Sequence, residues 1–272
     1  MKTIMDGVLS RWVWLVLLVT VPWLTANAAN DDVFDVERAL AMSRNAVGKP
    51  LEDYSFLDRH EQAVRLASFK GKPLVISFVY TSCFQTCSTV TRSLADMVEK
   101  AREALGVDSF TVVTIGFDTR VDNPKAMAWF ADHQGVKDEH WHFLSGDAHT
   151  VERLTRNVGF SYVRSPKGFD HMTQATVVNA DGVIHQQVYG EIIQLPWLVD
   201  PLKELILGTP RREDSVMEDL VRRVRLFCTT YDPNQNAYRF DYSLFVGLFI
   251  GASIILGTAI WLFREVRRTL RS

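Results

Sequence analysis

The sequence predicts an α/β fold, with one largely buried sheet, helices packed against it and a separate apolar helix after it. Three observations predict this. PLVISFVY at 73–80 and FTVVTIGF at 110–117 are continuous apolar, β-branched runs of strand length, as central strands buried on both faces require. Segments with helical spacing of apolar residues follow each of these runs. QATVVN at 174–179 and VIHQQVY at 183–189 flank Ala180-Asp181-Gly182, a hairpin signature.

The elements follow in order. Residues 29–46 are polar and mixed and read as a linker leading to Gly48-Lys49-Pro50. Tyr54 to Leu57 and Ala63 to Leu66 read as short strands around Asp58-Arg59-His60-Glu61. Gly71-Lys72-Pro73 is a turn into the first buried strand. The next segment, TVTRSLADMVEKAREALG, has apolar residues at Val90, Leu94, Met97, Val98 and Leu105, which predicts a helix ended by Gly106. After the second buried strand, Asn123 caps a helix with Pro124 in its first turn. A short strand at 141–144, a helix capped by Asp147, the hairpin and a closing helix at 195–207 complete the domain. This order, ββ then β-α-β-α-β-α then hairpin and helix, is that of a thioredoxin-like fold with an N-terminal β-hairpin. In such open sheets reactive groups gather where strands end and helices begin. Ser215 and Glu218 form a capping box for a further helix with a stripe at Val216, Leu220, Val221, Val224 and Phe227. It reads as a packing or juxtamembrane helix.

The two ends differ from the middle. A short apolar run at 12–24 follows Lys2 and Arg11 and precedes Ala26 and Ala28. That pattern predicts a signal peptide, 1–28, cut after Ala28. Residues 244–263 hold 20 positions without a charge, about 30 Å as a helix and enough to cross a hydrocarbon core. Arg264, Arg267, Arg268 and Arg271 follow, so the tail 264–272 is expected on the cytoplasmic side. The expected organisation is therefore a domain at 47–208, a juxtamembrane helix and linker at 209–243, then the span. It places the domain on the periplasmic face of a bacterial inner membrane. The net charge of −2 offers no basic field for nucleic acid.

Three cysteines, Cys83, Cys87 and Cys228, are too few for a disulfide scaffold. Cys83 and Cys87 fall where the first long helix begins. In its first turn, a spacing of four puts both thiols on one face, Cβ atoms about 5–6 Å apart. A helix N-terminus favours thiolate. Such a pair can hold one soft metal ion or oxidise to a disulfide. Thioredoxin-type exchangers have two intervening residues rather than three, and Ser82 stands where they carry tryptophan. The peroxiredoxin frame has Ile76 and Tyr80 at its proline and threonine positions. Structural zinc needs four ligands. Cu(I) accepts two thiolates and one histidine. His133, His140, His142 and His149 read as ordinary surface or helix-end residues, His60 as a turn residue and His185 as a solvated strand residue. His171, in the loop GFDHMT before QATVVN, is placed at the same sheet edge as the cysteines. On the residues alone, a copper site and a thiol–disulfide exchanger both stay open. A structural disulfide is weaker, because so short a loop constrains the unfolded chain little. Cys228 stays open between a buried small residue, an interchain cross-link and an auxiliary ligand.

Four stretches carry a resemblance to a known family. GKPLVISFVYTSCFQTC resembles a strand followed by T-S-C-P-x-x-C. GFDTRVDNP resembles V-D-P-x-x-D-x-P, with Asp118 and Asp122 on its two aspartates. GFDHMTQATVVNADGVI resembles the D-H-S/T segment, and LEDYSFLDRHEQAVRLASFKGK the first hairpin. The chain resembles the SCO/SenC family over 47–207, and its tail resembles an extension with a C-terminal span. The resemblance implies a membrane-anchored metallochaperone that binds one copper, as Cu(I) with Cu(II) left open, through Cys83, Cys87 and His171. It implies a partner, the copper-centre subunit of cytochrome c oxidase or a related copper enzyme. Copper would be delivered there, or the centre's cysteines would be reduced by the pair. Asp118 and Asp122 stand behind the site, face a partner, or cap loops. Phe84 departs from the family, which carries proline there, and Ser88 stands where proline is common.

Overall fold

The computed structural model describes residues 34–83, 86–208 and 216–269. The expected signal peptide, Phe84 and Ser215 lie outside the described residues.

The first element corrects the sequence reading. Within the expected linker, a helix, α1, runs over Val36–Ala46, with the Asp35 side chain accepting from the Arg38 N–H. Its buried face is Ala39, Ser43 and Ala46. These residues recur at helical spacing but carry almost no apolar volume, so the segment reads as polar. Small side chains are what its docking site needs. Gly159 takes φ +69°, and a Cβ there would stand 2.5 Å from the Met42 carbonyl oxygen. The Ser43 carbonyl oxygen accepts from Gln187 Nε2 at 3.4 Å, and Tyr189 Oη lies 3.0 Å from Ser43 Oγ.

Strands β1 (Ser55–Asp58), β2 (Ala63–Arg65), β3 (Leu74–Val79), β4 (Thr111–Gly116), β5 (Trp141–Ser145), β8 (Gln174–Val178) and β9 (Ile184–Tyr189) form one sheet. The order is β2-β1-β5-β4-β3-β8-β9. Strands β3, β4 and β5 are parallel, and the outer pairings are antiparallel. Every residue of β3 and β4 is buried, as their uninterrupted apolar runs predict. The buried Ser77 and Thr114 hydroxyls satisfy each other, Ser77 Oγ to Thr114 Oγ1 at 2.7 Å. Helices α2 (Thr86–Leu105), α3 (Pro124–Gln134), α4 (Ala148–Val158) and α5 (Leu195–Gly208) cover the sheet. Asn123 and Asp147 cap α3 and α4 as expected. The mixed sheet and its helices are those of the thioredoxin-like fold.

Two small hairpins were not foreseen. The expected loop before QATVVN is part of a hairpin, β6 (Tyr162–Ser165) with β7 (Gly168–His171), outside the main sheet. The connection after Cys228 folds into β10 (Thr229–Asp232) with β11 (Ala237–Phe240). Both have only four residues per strand, too short for alternation to stand out. Between α5 and β10 lies α6 (Val216–Phe227). The last helix, α7, covers Ser243–Thr269 and is long and apolar enough to cross a membrane.

Candidate metal and thiol site

Strand β3 runs straight into Tyr80-Thr81-Ser82-Cys83. The Cys83 N–H donates to the Tyr80 carbonyl at 3.1 Å, so the chain turns before α2 begins at Thr86. Cys83 therefore lies ahead of the helix rather than in its first turn. Its Sγ accepts from the Cys87 N–H at 3.4 Å, so this thiol caps the helix. The helix N-terminus still faces a sulfur, but by capping rather than by a shared helical face. Cys87 is the second residue of α2 and is buried, whereas Cys83 is half-buried. None of Cys83, Cys87 and Cys228 is joined in a disulfide.

Burial pushes the Cys87 thiol far up, and negative charge at Cys83 and Asp122 pushes it further. This outweighs the helix terminus, so Cys87 is protonated at neutral pH without a metal. Tyr80 is likewise pushed up, first by burial and then by a hydrogen bond with the Cys83 thiol.

His171 ends β7. Its Nδ1 lies 3.3 Å from the Met172 carbonyl oxygen, which assigns the proton to Nδ1 and leaves Nε2 with its lone pair. Its ring is enclosed by Phe117 and Phe160, each 5.5 Å away between centroids, and by Tyr80 at 6.1 Å. Burial holds it below the usual histidine range, so the ring is neutral at pH 7, the form that ligates metals. Cys87 and His171 line one cavity, walled by Val90, Leu94, Phe160 and Ile193. Among the described residues, no group of three His, Cys, Asp or Glu side chains stands close enough to hold a metal as arranged. The donor set is nonetheless soft and neutral, with two thiols and one imidazole on the sheet edge.

Asp122 and Asp118 brace this edge. Asp122 Oδ1 accepts from the Thr81 N–H at 2.8 Å and from Thr81 Oγ1 at 2.7 Å. Asp122 Oδ2 accepts from the Asp118 N–H at 2.8 Å. The Asp118 carboxylate faces Arg120 and Arg164, both at 3.5 Å. Arg164 belongs to β6 and lies over the Phe169 ring, 4.5 Å from its centroid. A continuous path thus joins the cysteine turn to the histidine hairpin, through Thr81, Asp122, Asp118 and Arg164.

Cys83, Cys87, His171, Asp118 and Asp122 are therefore brought to one end of the sheet. Sequence reasoning missed Tyr80, Thr81, Arg164 and Phe117. Tyr80 carried a signal, as the polar-tipped residue ending an apolar strand. Arg164 carried none, being one of many charged residues. Three of the other histidines are engaged elsewhere. His133 stacks on Trp129, His142 packs on Phe69, and His140 lies 3.7 Å from Asp108. Cys228 is buried at the head of β10.

The SCO1/SenC family model matches residues 44–194. The SCO1 protein homolog of Bacillus subtilis is 25% identical over 144 residues, 52% of this chain and 74% of that protein. A structure of Bradyrhizobium japonicum ScoI with copper bound superposes with TM-score 0.50 at 21% identity, covering 58% of this chain and 99% of that one. BsSco, described as a member of the Sco family of cytochrome c oxidase assembly proteins and for its disulfide switch, superposes with TM-score 0.52. It is 21% identical and covers 58% of this chain and 94% of that one.

Proposed function

This chain belongs to the SCO1/SenC family, and on that premise we propose that it is a copper chaperone acting in cytochrome c oxidase assembly. Cys83, Cys87 and His171 would hold one copper ion as cargo. The observation that carries the reading is the convergence of two thiols and a neutral imidazole on one sheet edge, Cys87 and His171 on the same cavity wall. Two thiolates and one imidazole suit Cu(I), which is soft and tolerates three ligands. Holding one ion would require the three donors to come closer together than they stand. Loading displaces the proton from buried Cys87, so copper binding tightens as pH rises. The client is the binuclear copper centre of the oxidase or a related copper enzyme. Helix α7 crosses the bacterial inner membrane, with the domain in the periplasm and the arginine-rich tail inside.

The test is anaerobic Cu(I) titration with X-ray absorption on the full chain and on single variants. Two sulfurs and one nitrogen are expected at copper. Unchanged affinity in His171→Ala overturns the assignment.

A second reading, thiol–disulfide exchange, is favoured by the asymmetry of the pair. Cys83 is half-exposed at a helix N-terminus, and Cys87 is buried and protonated. Cys83 thiolate would attack a client disulfide and Cys87 would resolve the mixed disulfide. The pair gives up two electrons and two protons as the client gains two thiols. Client reduction surviving His171→Ala, with no copper transfer, selects this reading.

A further inference from the structure

We propose that α6 docks, apolar face down, on the anionic lipid surface at the level where α7 enters the membrane. Met217, Leu220, Val221, Val224 and Phe227 are exposed by 38% to 69%. At 3.6 residues per turn they span an arc of about 120°. Leu226, on the opposite side of the helix, is buried and faces the domain. Arg223 and Arg225 fall on the two flanks of the stripe, one on each side, at helical spacing. Arg223 also donates from Nη1 to the Leu207 carbonyl at 2.9 Å, which ties the helix to the end of α5. An apolar stripe flanked by arginines matches acyl chains below and anionic headgroups at the rim.

The occupant follows from what lies beside this face. The β10–β11 hairpin turns the chain back on itself, and the Asp241 N–H donates to the Cys228 carbonyl at 2.7 Å. The last turn of α6 is thereby fastened to the residue two positions before α7. The exposed apolar residues of α7 start at Leu244. Exposed Phe227 and Tyr242 stand on either side of that fastening, and Phe240 packs on Tyr242 and Phe245. Aromatic residues gathered where an apolar span begins mark a membrane–water interface. With the domain held there, the site's height above the membrane is set by α6 rather than by a free tether.

The inference rests on the reading that α7 crosses a membrane, and its test separates the two. The full chain is reconstituted in phosphatidylcholine bilayers with or without phosphatidylglycerol. A benzophenone amino acid is placed, in separate variants, at Val221, at Glu99 on the exposed side of α2, and at Ile250 within α7. Lipid adducts are read by mass spectrometry. The expected result is lipid adduct at Ile250 in both bilayers and none at Glu99. At Val221 adduct is expected, falling several-fold without phosphatidylglycerol and several-fold with Arg225→Glu. Adduct at Ile250 with none at Val221 overturns the docking and leaves the span intact. A Val221 cross-link to a second copy, or a Val221 yield indifferent to lipid charge and to Arg225→Glu, also overturns it. Absence of adduct at Ile250 overturns the span itself.

Discussion

Replacing Asp122 separates the bracing of the site from its donors. Its carboxylate accepts three hydrogen bonds, two from backbone N–H groups, and the residue is 2% exposed. Asp122→Ala leaves the N–H groups of Thr81 and Asp118 unpaired in a tight space, since even a Cβ on Gly116 would stand 2.4 Å from Asp122 Cβ. Each orphaned buried donor costs about 1–3 kcal/mol, so about 2–6 kcal/mol is lost in gross terms. Burial raises the Asp122 pKa, so part of this is returned when the desolvated charge is removed. A net loss of about 2–4 kcal/mol follows. Asp122→Asn keeps the oxygen facing Thr81 but points an NH2 at the Asp118 N–H, a cost of about 1–3 kcal/mol. Urea unfolding at pH 7, followed by tryptophan fluorescence, measures both. The order Ala worse than Asn worse than wild type is expected. Both variants within about 0.5 kcal/mol of wild type would refute the idea that this carboxylate pins the cysteine turn.

Three further outcomes follow. Arg164→Ala removes the Asp118 pairing and the Phe169 contact. Since the arginine is largely exposed, stability should drop by no more than about 1 kcal/mol, while hydrogen exchange in 162–171 speeds up. Unchanged exchange there would disconnect the hairpin from Asp118. Brief alkylation of the reduced protein should label half-exposed Cys83 well before Cys87 and Cys228, which peptide mapping would show. The His142 pKa is lowered, first by burial and then by His140 and Arg59. The unfolded chain therefore takes up this proton first as pH falls. Its contribution is complete above the ordinary value of 6.5 and is lost as pH falls through it. Melting temperatures from pH 8 to 5 should fall less in His142→Gln, and parallel curves would argue against this histidine.

Much of the candidate site was legible because its chemistry is written in residue types. Two cysteines four apart after a buried strand, and a histidine just before another, need no contact map to stand out. The same holds for β3, β4 and the capped helices α3 and α4, whose signals are local. What stayed hidden depended on pairing across long separations. Helix α1 is held by small residues against Gly159, so its packing leaves no apolar stripe to read. The β6–β7 hairpin is stabilised by its aromatic stack on Tyr80 and Phe117, and its strands are too short to show a period. The thiols' asymmetry is also tertiary, since the same residue type is half-exposed at Cys83 and buried at Cys87, where burial first and nearby negative charge second hold the proton. Sequence by itself determined which donors are present and which strands form the core, through composition and local periodicity. Only the tertiary structure decided how Asp122, Asp118 and Arg164 tie the cysteine turn to His171, because such bonds join residues that nothing in the local sequence pairs.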